Sequence, residues 1–285
     1  MQEWRLLQCG ACPGAWNMAL DEALLNSVER GTSQPLLRLY RWKPATVTLG
    51  YFQHGSDVVN PEACQRLGYD VVRRVTGGRA VLHDDEVTYA VIAPDADVVF
   101  PGGIAANYHV IAEVLHQTLA ACGQKTEIAS GRKVNESTEG VQKSACFTAP
   151  ALSELVHAGC KMTGSAQKRL NKAFLQHGSI PVNIDLKRLY QALHTGPAGD
   201  EGRAVEKLAS RVGWLNRFLP QGTTVDAVEQ VLIEQFARKL GIRFRPDVPT
   251  ADEAAAAQIL MAEKYGNRDW TLKGIISSPE QTHQG

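Results

Sequence analysis

The sequence predicts an α+β fold: mixed and antiparallel sheets flanked by helices, with a small helical region at the C-terminal end. Three observations carry that expectation. Strand-length runs bounded by Gly, Pro, Asn and Asp recur over residues 4–182, with amphipathic helical patterns set between them. Beyond the Gly- and Pro-rich stretch 195–202 the pattern turns helical, around 205–218, 225–240 and 251–264. The size fits as well: 285 residues, 44% of them apolar, can bury one large core, or one domain plus a small lobe. The organisation expected is a sheet-rich body over 1–200 and a helical region over 201–285 packed on the same domain.

Taken in order, 4–8 reads as a strand, 9–14 as a turn and 17–29 as an amphipathic helix with Met18, Leu20, Ala23, Leu24 and Val28 on its apolar face. Residues 36–42 and 46–52 read as two strands joined as a hairpin or tight connection through Lys43-Pro44-Ala45. A short helix over 61–67 and strands over 69–74 and 87–93 follow. Residues 73–83 read Arg73-Arg74-Val75-Thr76-Gly77-Gly78-Arg79-Ala80-Val81-Leu82-His83, and the paired glycines allow a tight turn and the close approach of a ligand. A helix over 105–122 ends at Gly123, 126–129 is strand-like, and 131–143 is a polar surface loop. Residues 152–157 and 161–167 look like a hairpin across Ala158-Gly159-Cys160. A third strand follows over 174–182, and Asp185 caps a helix through Leu193.

Thirty basic and thirty acidic residues cancel, so nothing points to a general nucleic-acid binder. The start, Met1-Gln2-Glu3-Trp4-Arg5, lacks a signal-peptide pattern. No apolar run approaches the roughly 20 residues a bilayer span needs. A soluble, cytoplasmic protein with no membrane partner is expected, its six cysteines reduced. With a single C-x-x-C and no second set, no metal site is expected.

Five features could carry chemistry. Cys146 stands between small and apolar neighbours; a thiolate forms thioesters readily, but from the cysteine alone the packing reading is the stronger. Fifteen residues on, Lys161 leads into a small-residue run, Thr163-Gly164-Ser165-Ala166-Gln167. An inward-facing lysine is desolvated, which favours its neutral form; a snorkelling surface lysine is the other reading. The run 73–83 could hold a carboxylate, phosphate or carbonyl through guanidinium forks and backbone N–H groups, or be a turn with solvated arginines. It fits neither a Walker loop nor a dinucleotide fingerprint. His83 and His177 are each as readily structural as functional. Cys9-Gly10-Ala11-Cys12 has the spacing of a redox pair without the βαβ context that goes with it.

With these residues in view, the chain resembles the biotin/lipoate protein ligase superfamily over nearly its whole length. The resemblance rests on Asn17-Met18-Ala19-Leu20-Asp21-Glu22-Ala23-Leu24, on Leu49-Gly50-Tyr51-Phe52-Gln53, and on the run 73–83 with Glu86-x-Thr88-Tyr89. It rests further on Gly164-Ser165-Ala166-Gln167-x-Arg169 and Leu175-Gln176-His177-Gly178-Ser179-Ile180. Within the superfamily, ATP-dependent lipoate ligases carry Arg-Asn-Asp near the place of Ala145-Cys146-Phe147. The cysteine-using octanoyltransferases carry a cysteine there, with a lysine fifteen residues later, and this chain follows that pattern. Cys160 is a departure, since relatives commonly have arginine there, and the polar loop before Ser144 is divergent.

The resemblance implies the ligase catalytic fold and an acyltransferase moving octanoyl from acyl carrier protein to a lipoyl-domain lysine, with glycine cleavage H protein as the expected acceptor. It implies Cys146 as the thioester nucleophile and Lys161 as acid/base. Arg73, Thr76, Gly77, Gly78, His83, Gly164, Ser165, Ala166, His177 and Gly178 would hold the acyl group. No cofactor is implied. An ATP-dependent lipoate ligase and a non-enzymatic acyl binder are the competing expectations.

Overall fold

The computed structural model describes residues 1–129, 153–193 and 199–274; Cys146 and the polar loop 131–143 lie outside the described residues. The elements run β1 (Gln2–Cys12), α1 (Gly14–Glu29), β2 (Leu36–Trp42), β3 (Thr46–Leu49), α2 (Pro61–Leu67), β4 (Asp70–Arg73), β5 (Val81–His83), β6 (Glu86–Pro94) and α3 (Ile104–Ala121). They continue with β7 (Glu127–Ile128), β8 (Leu155–His157), β9 (Cys160–Lys161), β10 (Gly164–Arg169), β11 (Ala173–Pro181), α4 (Leu186–Leu193), α5 (Glu201–Ala209) and α6 (Leu215–Phe218). The last are α7 (Val225–Leu240), β12 (Ile242–Asp247), α8 (Ala251–Leu260), a π-helical turn (Met261–Tyr265) and α9 (Arg268–Lys273).

A six-stranded mixed sheet, ordered β10-β11-β6-β2-β1-β12, is the centre of the molecule. Three-stranded sheets β4-β3-β5 and β7-β8-β9 lie beside it. β6 pairs antiparallel with both β2 and β11, and is buried on both faces. Its sequence, Glu86-Val87-Thr88-Tyr89-Ala90-Val91-Ile92-Ala93-Pro94, accordingly shows no clean apolar–polar alternation. One face of the main sheet packs Tyr89, Val91, Phe100 and Phe174 with α3 and with Phe236 of α7. The other packs Ala90, Ile92 and Leu175 against Met18, Leu20 and Leu24 of α1. Each such fully buried large side chain contributes about 1.5–3 kcal/mol. The small sheet β4-β3-β5 sends Val47, Leu49 and Leu82 toward Leu189 and Leu193 of α4. Strand alternation turns Thr48, Val81 and His83 the other way, toward the main sheet.

Four local expectations are corrected. β1 does not end at Gln8 but continues to Cys12, because Gly10, at φ +65°, absorbs a bulge between Gln8 and Ala11. β2 and β3 are not a hairpin: both edges of β2 are taken, by β1 and β6, so β3 joins the small sheet. Residues 161–167 are split between β9 and β10. Only the two-residue turn Ala158-Gly159, at φ 48° and 77°, forms the hairpin with β8, whereas β10 pairs with β11. The helix expected over 205–218 is broken into α5 and α6. Gly213 must lie against Met162 there: a Cβ on Gly213 would come within 2.4 Å of the Met162 sulfur.

The C-terminal stretch also holds a strand that its helical pattern hid. β12 pairs parallel with β1 at the sheet edge. α8 follows, its N-terminus closed by a Thr250–Glu253 capping box, and Glu253 takes two hydrogen bonds from the buried Arg5 guanidinium, at 2.6 and 2.8 Å. Among the described residues no helix is long and apolar enough to cross a membrane, and no group of three His, Cys, Asp or Glu side chains is arranged to hold a metal ion.

Candidate active site

A slot opens between the main sheet and the inner face of the small sheet. Tyr40, Trp42, Thr88, His177, Gly178 and Ser179 form its floor, with Gly164, Ser165 and Ala166 along the edge strand β10. Thr48, Arg74, Val81 and His83 form the opposite wall, and Met18 of α1 lies at one side. Gly178 lets β10 lie close on the sheet face that Tyr89 occupies, opposite His177 and Ser179. A Cβ on Gly178 would stand 2.6 Å from the Gly164 carbonyl oxygen, 2.7 Å from the Tyr89 hydroxyl and 2.8 Å from Ser165 Oγ. Burial pushes the Tyr89 hydroxyl up to about 12, so it remains a neutral partner of Ser165 Oγ, at 2.8 Å.

The slot is held by a buried polar network. At one end Arg38 donates to Asp21 at 2.5 Å and to Asn17 Oδ1 at 2.7 Å. Asp21 Oδ2 lies 2.9 Å from His177 Nδ1 and accepts from the Tyr40 hydroxyl at 3.0 Å. At the other end His83 Nδ1 lies 2.6 Å from Glu86, which also accepts from Thr88 and Ser179. The His83 ring stacks on Trp42 with centroids 4.3 Å apart, and the Trp42 indole donates to Thr88 at 2.8 Å. Burial works to raise the Asp21 carboxyl, but Arg38 and His177 together hold it below the usual carboxylate range. Burial holds His177 below the usual imidazole range against the pull of Asp21, so the ring is neutral near pH 7.

The site residues expected from the sequence fall into three groups. His83, Gly164, Ser165, Ala166, His177 and Gly178 line the slot. Thr76, Gly77 and Gly78 stand behind it. Thr76 Oγ1 is 2.7 Å from His177 Nε2, and Gly50 lets the Gly78 turn press against it, since a Cβ on Gly50 would reach 1.9 Å from the Gly78 carbonyl oxygen. Arg73 departs from the expectation. Adjacent strand residues face opposite ways, and Arg73 turns from the slot to donate to the carbonyls of Gly50, Tyr51, Trp270 and Leu272, at 2.8–3.1 Å. It clamps α9 to the Gly50-Tyr51 segment. Arg74 faces the slot in its place.

Lys161 is buried, as an inward-facing lysine should be, but it is not among the slot-lining residues, and it forms an ion pair with Glu154. Its backbone is held by the chain that breaks the expected helix: Lys161 N–H donates to Arg211 O at 2.8 Å, and Gly213 N–H donates to Lys161 O at 2.9 Å. Cys160 turns away, its sulfur 3.8 Å from the Ala209 carbonyl oxygen and 3.6 Å from Arg217. Cys9 and Cys12 are free, half-buried thiols, and Arg38 donates to Cys9 Sγ at 3.4 Å. Sequence reasoning missed Asp21, Arg38, Glu86 and Glu154 as parts of the site. Asp21 and Glu86 stood inside recognisable motifs, but nothing local marked them as partners of His177 and His83.

With this geometry in place, comparison with known proteins decides the family. Residues 13–237 match the lipoyl protein ligase A/B catalytic domain. The chain belongs to that family. It is 38% identical over 274 residues to the octanoyltransferase LipM of Kyrpidia tusciae, covering 96% of this chain and 100% of that one. It is 37% identical to the octanoyltransferase LipM of Moorella thermoacetica, covering 94% and 97%. Among solved structures it superposes on the bi-partite lipoate protein ligase of Thermoplasma acidophilum with a TM-score of 0.79, at 25% identity over 98% and 99% of the two chains. A lipoate-protein ligase A bound with ATP gives 0.77, at 26% identity over 95% and 99%.

In this member of the lipoyl protein ligase A/B family the neutral His177 sets a pH limit. Its folded-state pKa lies below its ordinary value of 6.5, so the unfolded chain binds the extra proton first. The stability that depends on neutral His177 is therefore complete above about pH 6.5 and falls as pH drops toward the folded value, by up to about 1.4 kcal/mol per unit. Denaturant midpoints measured from pH 7.5 to 5 are expected to show this loss, and His177→Gln to flatten it.

Proposed function

We propose that the chain is an octanoyltransferase of lipoate biosynthesis. It takes octanoyl from the thioester of an acyl carrier protein onto Cys146 and delivers it to a lysine of a lipoyl-domain protein such as glycine cleavage H protein. The observation that carries this reading is the near full-length likeness to proteins named octanoyltransferase LipM, in a chain that has the cysteine at 146 and the lysine at 161. A cytoplasmic setting goes with it.

The chemistry balances without ATP. The Cys146 thiolate attacks the octanoyl thioester, and the carrier thiol leaves with a proton; one thioester replaces another. A neutral acceptor lysine then attacks the second thioester, an amide forms, and the cysteine thiol is restored. The buried Lys161, held by Glu154, is assigned the proton transfers. Backbone N–H groups along the edge strand β10 at Gly164–Ser165 are assigned to the tetrahedral oxyanion. The apolar parts of Met18, Trp42, Val81 and Ala166 are assigned to the acyl chain.

The second reading, an ATP-dependent lipoate ligase, draws on the likeness to lipoate-protein ligase A bound with ATP. Reconstitution separates the two. Octanoyl transfer from the carrier to a lipoyl domain with ATP omitted is expected; a requirement for ATP together with free lipoate or octanoate would establish the ligase instead.

A further inference from the structure

The two histidines of the slot are wired alike. In each, Nδ1 faces a buried carboxylate, Asp21 for His177 and Glu86 for His83, at 2.9 and 2.6 Å. In each, Nε2 faces a buried threonine hydroxyl, Thr76 at 2.7 Å and Thr48 at 2.9 Å. Both threonines meet in one residue. Arg74 donates through Nε to Thr76 Oγ1 and through Nη1 to Thr48 Oγ1, both at 3.0 Å. It also donates to the carbonyls of Thr48, Gly77 and Arg79, at 3.1, 2.8 and 2.8 Å. The result is a chain from carboxylate to carboxylate: Asp21, His177, Thr76, Arg74, Thr48, His83, Glu86.

Proton counting fixes its direction. Arg74 has donors and no acceptor, so both hydroxyl oxygens accept from it. Each hydroxyl keeps one hydrogen, and its one other hydrogen-bond neighbour among the described residues is a histidine Nε2. A hydrogen on Nε2 would leave the hydroxyl hydrogen buried without an acceptor, which native structures avoid. Each imidazole therefore accepts at Nε2 and donates from Nδ1 to its carboxylate.

We propose that Arg74 is a positioning residue that holds His177 and His83 in the Nδ1–H form through Thr76 and Thr48, so that both imidazoles of the acyl slot accept at Nε2 and donate from Nδ1. The acyl role of the slot rests on the function proposed above; the proton arrangement does not. Counting all charges around the pair, His177 is faced by Asp21 of α1, by Arg74 and by His83, with Arg38 and Tyr40 of β2 behind Asp21. His83 is faced by Glu86, Thr48 and the Trp42 ring. Arg74 is a cation that disfavours a further proton on His177, and its Nε–H takes one acceptor site of the Thr76 hydroxyl.

Nitrogen-15 NMR of the imidazoles in the ligand-free full chain tests this. Both histidines are expected to show protonated Nδ1 and unprotonated Nε2 at neutral pH. Arg74→Gln is expected to raise the His177 titration midpoint by about one pH unit or more, the scale of removing one nearby charge. The acid limb of octanoyl transfer is expected to move up with it. Arg74→Lys, which keeps the charge but cannot span both threonines, is expected to fall between and covers the case in which the glutamine variant does not fold. An Nε2–H on either histidine in the wild type would overturn the proposal, as would a His177 midpoint unmoved in the variants. Because the spectra need no substrate, that outcome is distinct from failure of the transfer reaction itself.

Discussion

Asp21→Asn is expected to cost about 3–5 kcal/mol, the usual result of leaving a buried charge without its counter-ion. Arg38 and Asp21 are both fully buried, and the carboxylate also holds His177 and the Tyr40 hydroxyl. Asparagine fits the space and keeps a carbonyl, but it offers no charge to Arg38. Burial, followed by Asp21, keeps the Tyr40 hydroxyl well above its usual range, so that tyrosine remains a donor and cannot replace the lost charge. Replacing the pair together, Asp21→Leu with Arg38→Met, is expected to recover only part of the loss: it removes the unpaired charge but leaves the Tyr40 hydroxyl and His177 Nδ1–H without their acceptor. Denaturant melts of the single and double variants measure this. A loss under about 1 kcal/mol for Asp21→Asn would mean that the pair does not hold the site together.

Gly178→Ala is expected to reduce octanoyl transfer by about 100-fold or more while the protein remains folded. A misplacement of about 1 Å in a reacting group has that scale of effect. The Cβ would collide with the Gly164 carbonyl oxygen, a backbone atom fixed by the β10–β11 ladder, and with the Tyr89 and Ser165 hydroxyls. The edge strand that walls the slot must shift to make room. The stability cost expected of such overpacking is about 1–3 kcal/mol. Steady-state transfer alongside a thermal melt separates the two effects; full activity in the variant would show that the slot does not carry the acyl group.

Much of the fold was legible because it is written locally. The apolar face of α1, the buried run of β6, and the Asp185 cap on α4 are properties of neighbouring residues. The elements that were misread answer to distant ones. β12 alternates arginines with partly buried residues and is a strand because β1 offers it an open edge. Residues 210–213 leave the helical path because Lys161 takes their hydrogen bonds. The same division runs through the site. The slot-lining glycines and histidines sat in recognisable motifs, whereas His177 meets Asp21 across 156 positions of sequence. The doublet Arg73-Arg74 looked like one fork for a ligand. Strand alternation separates the two, sending one guanidinium to the C-terminal helix and the other to the histidine pair.

The central claim is that an acyl group passes through Cys146. Intact-mass spectrometry after incubation with octanoyl-carrier protein, without ATP and without acceptor, tests it most directly. Wild type is expected to gain one octanoyl group that hydroxylamine removes and that a lipoyl domain discharges, and Cys146→Ser to gain no such hydroxylamine-labile, transferable group. An unmodified wild type, joined to lipoate-dependent pyrophosphate release from ATP that survives Cys146→Ala, would contradict the account.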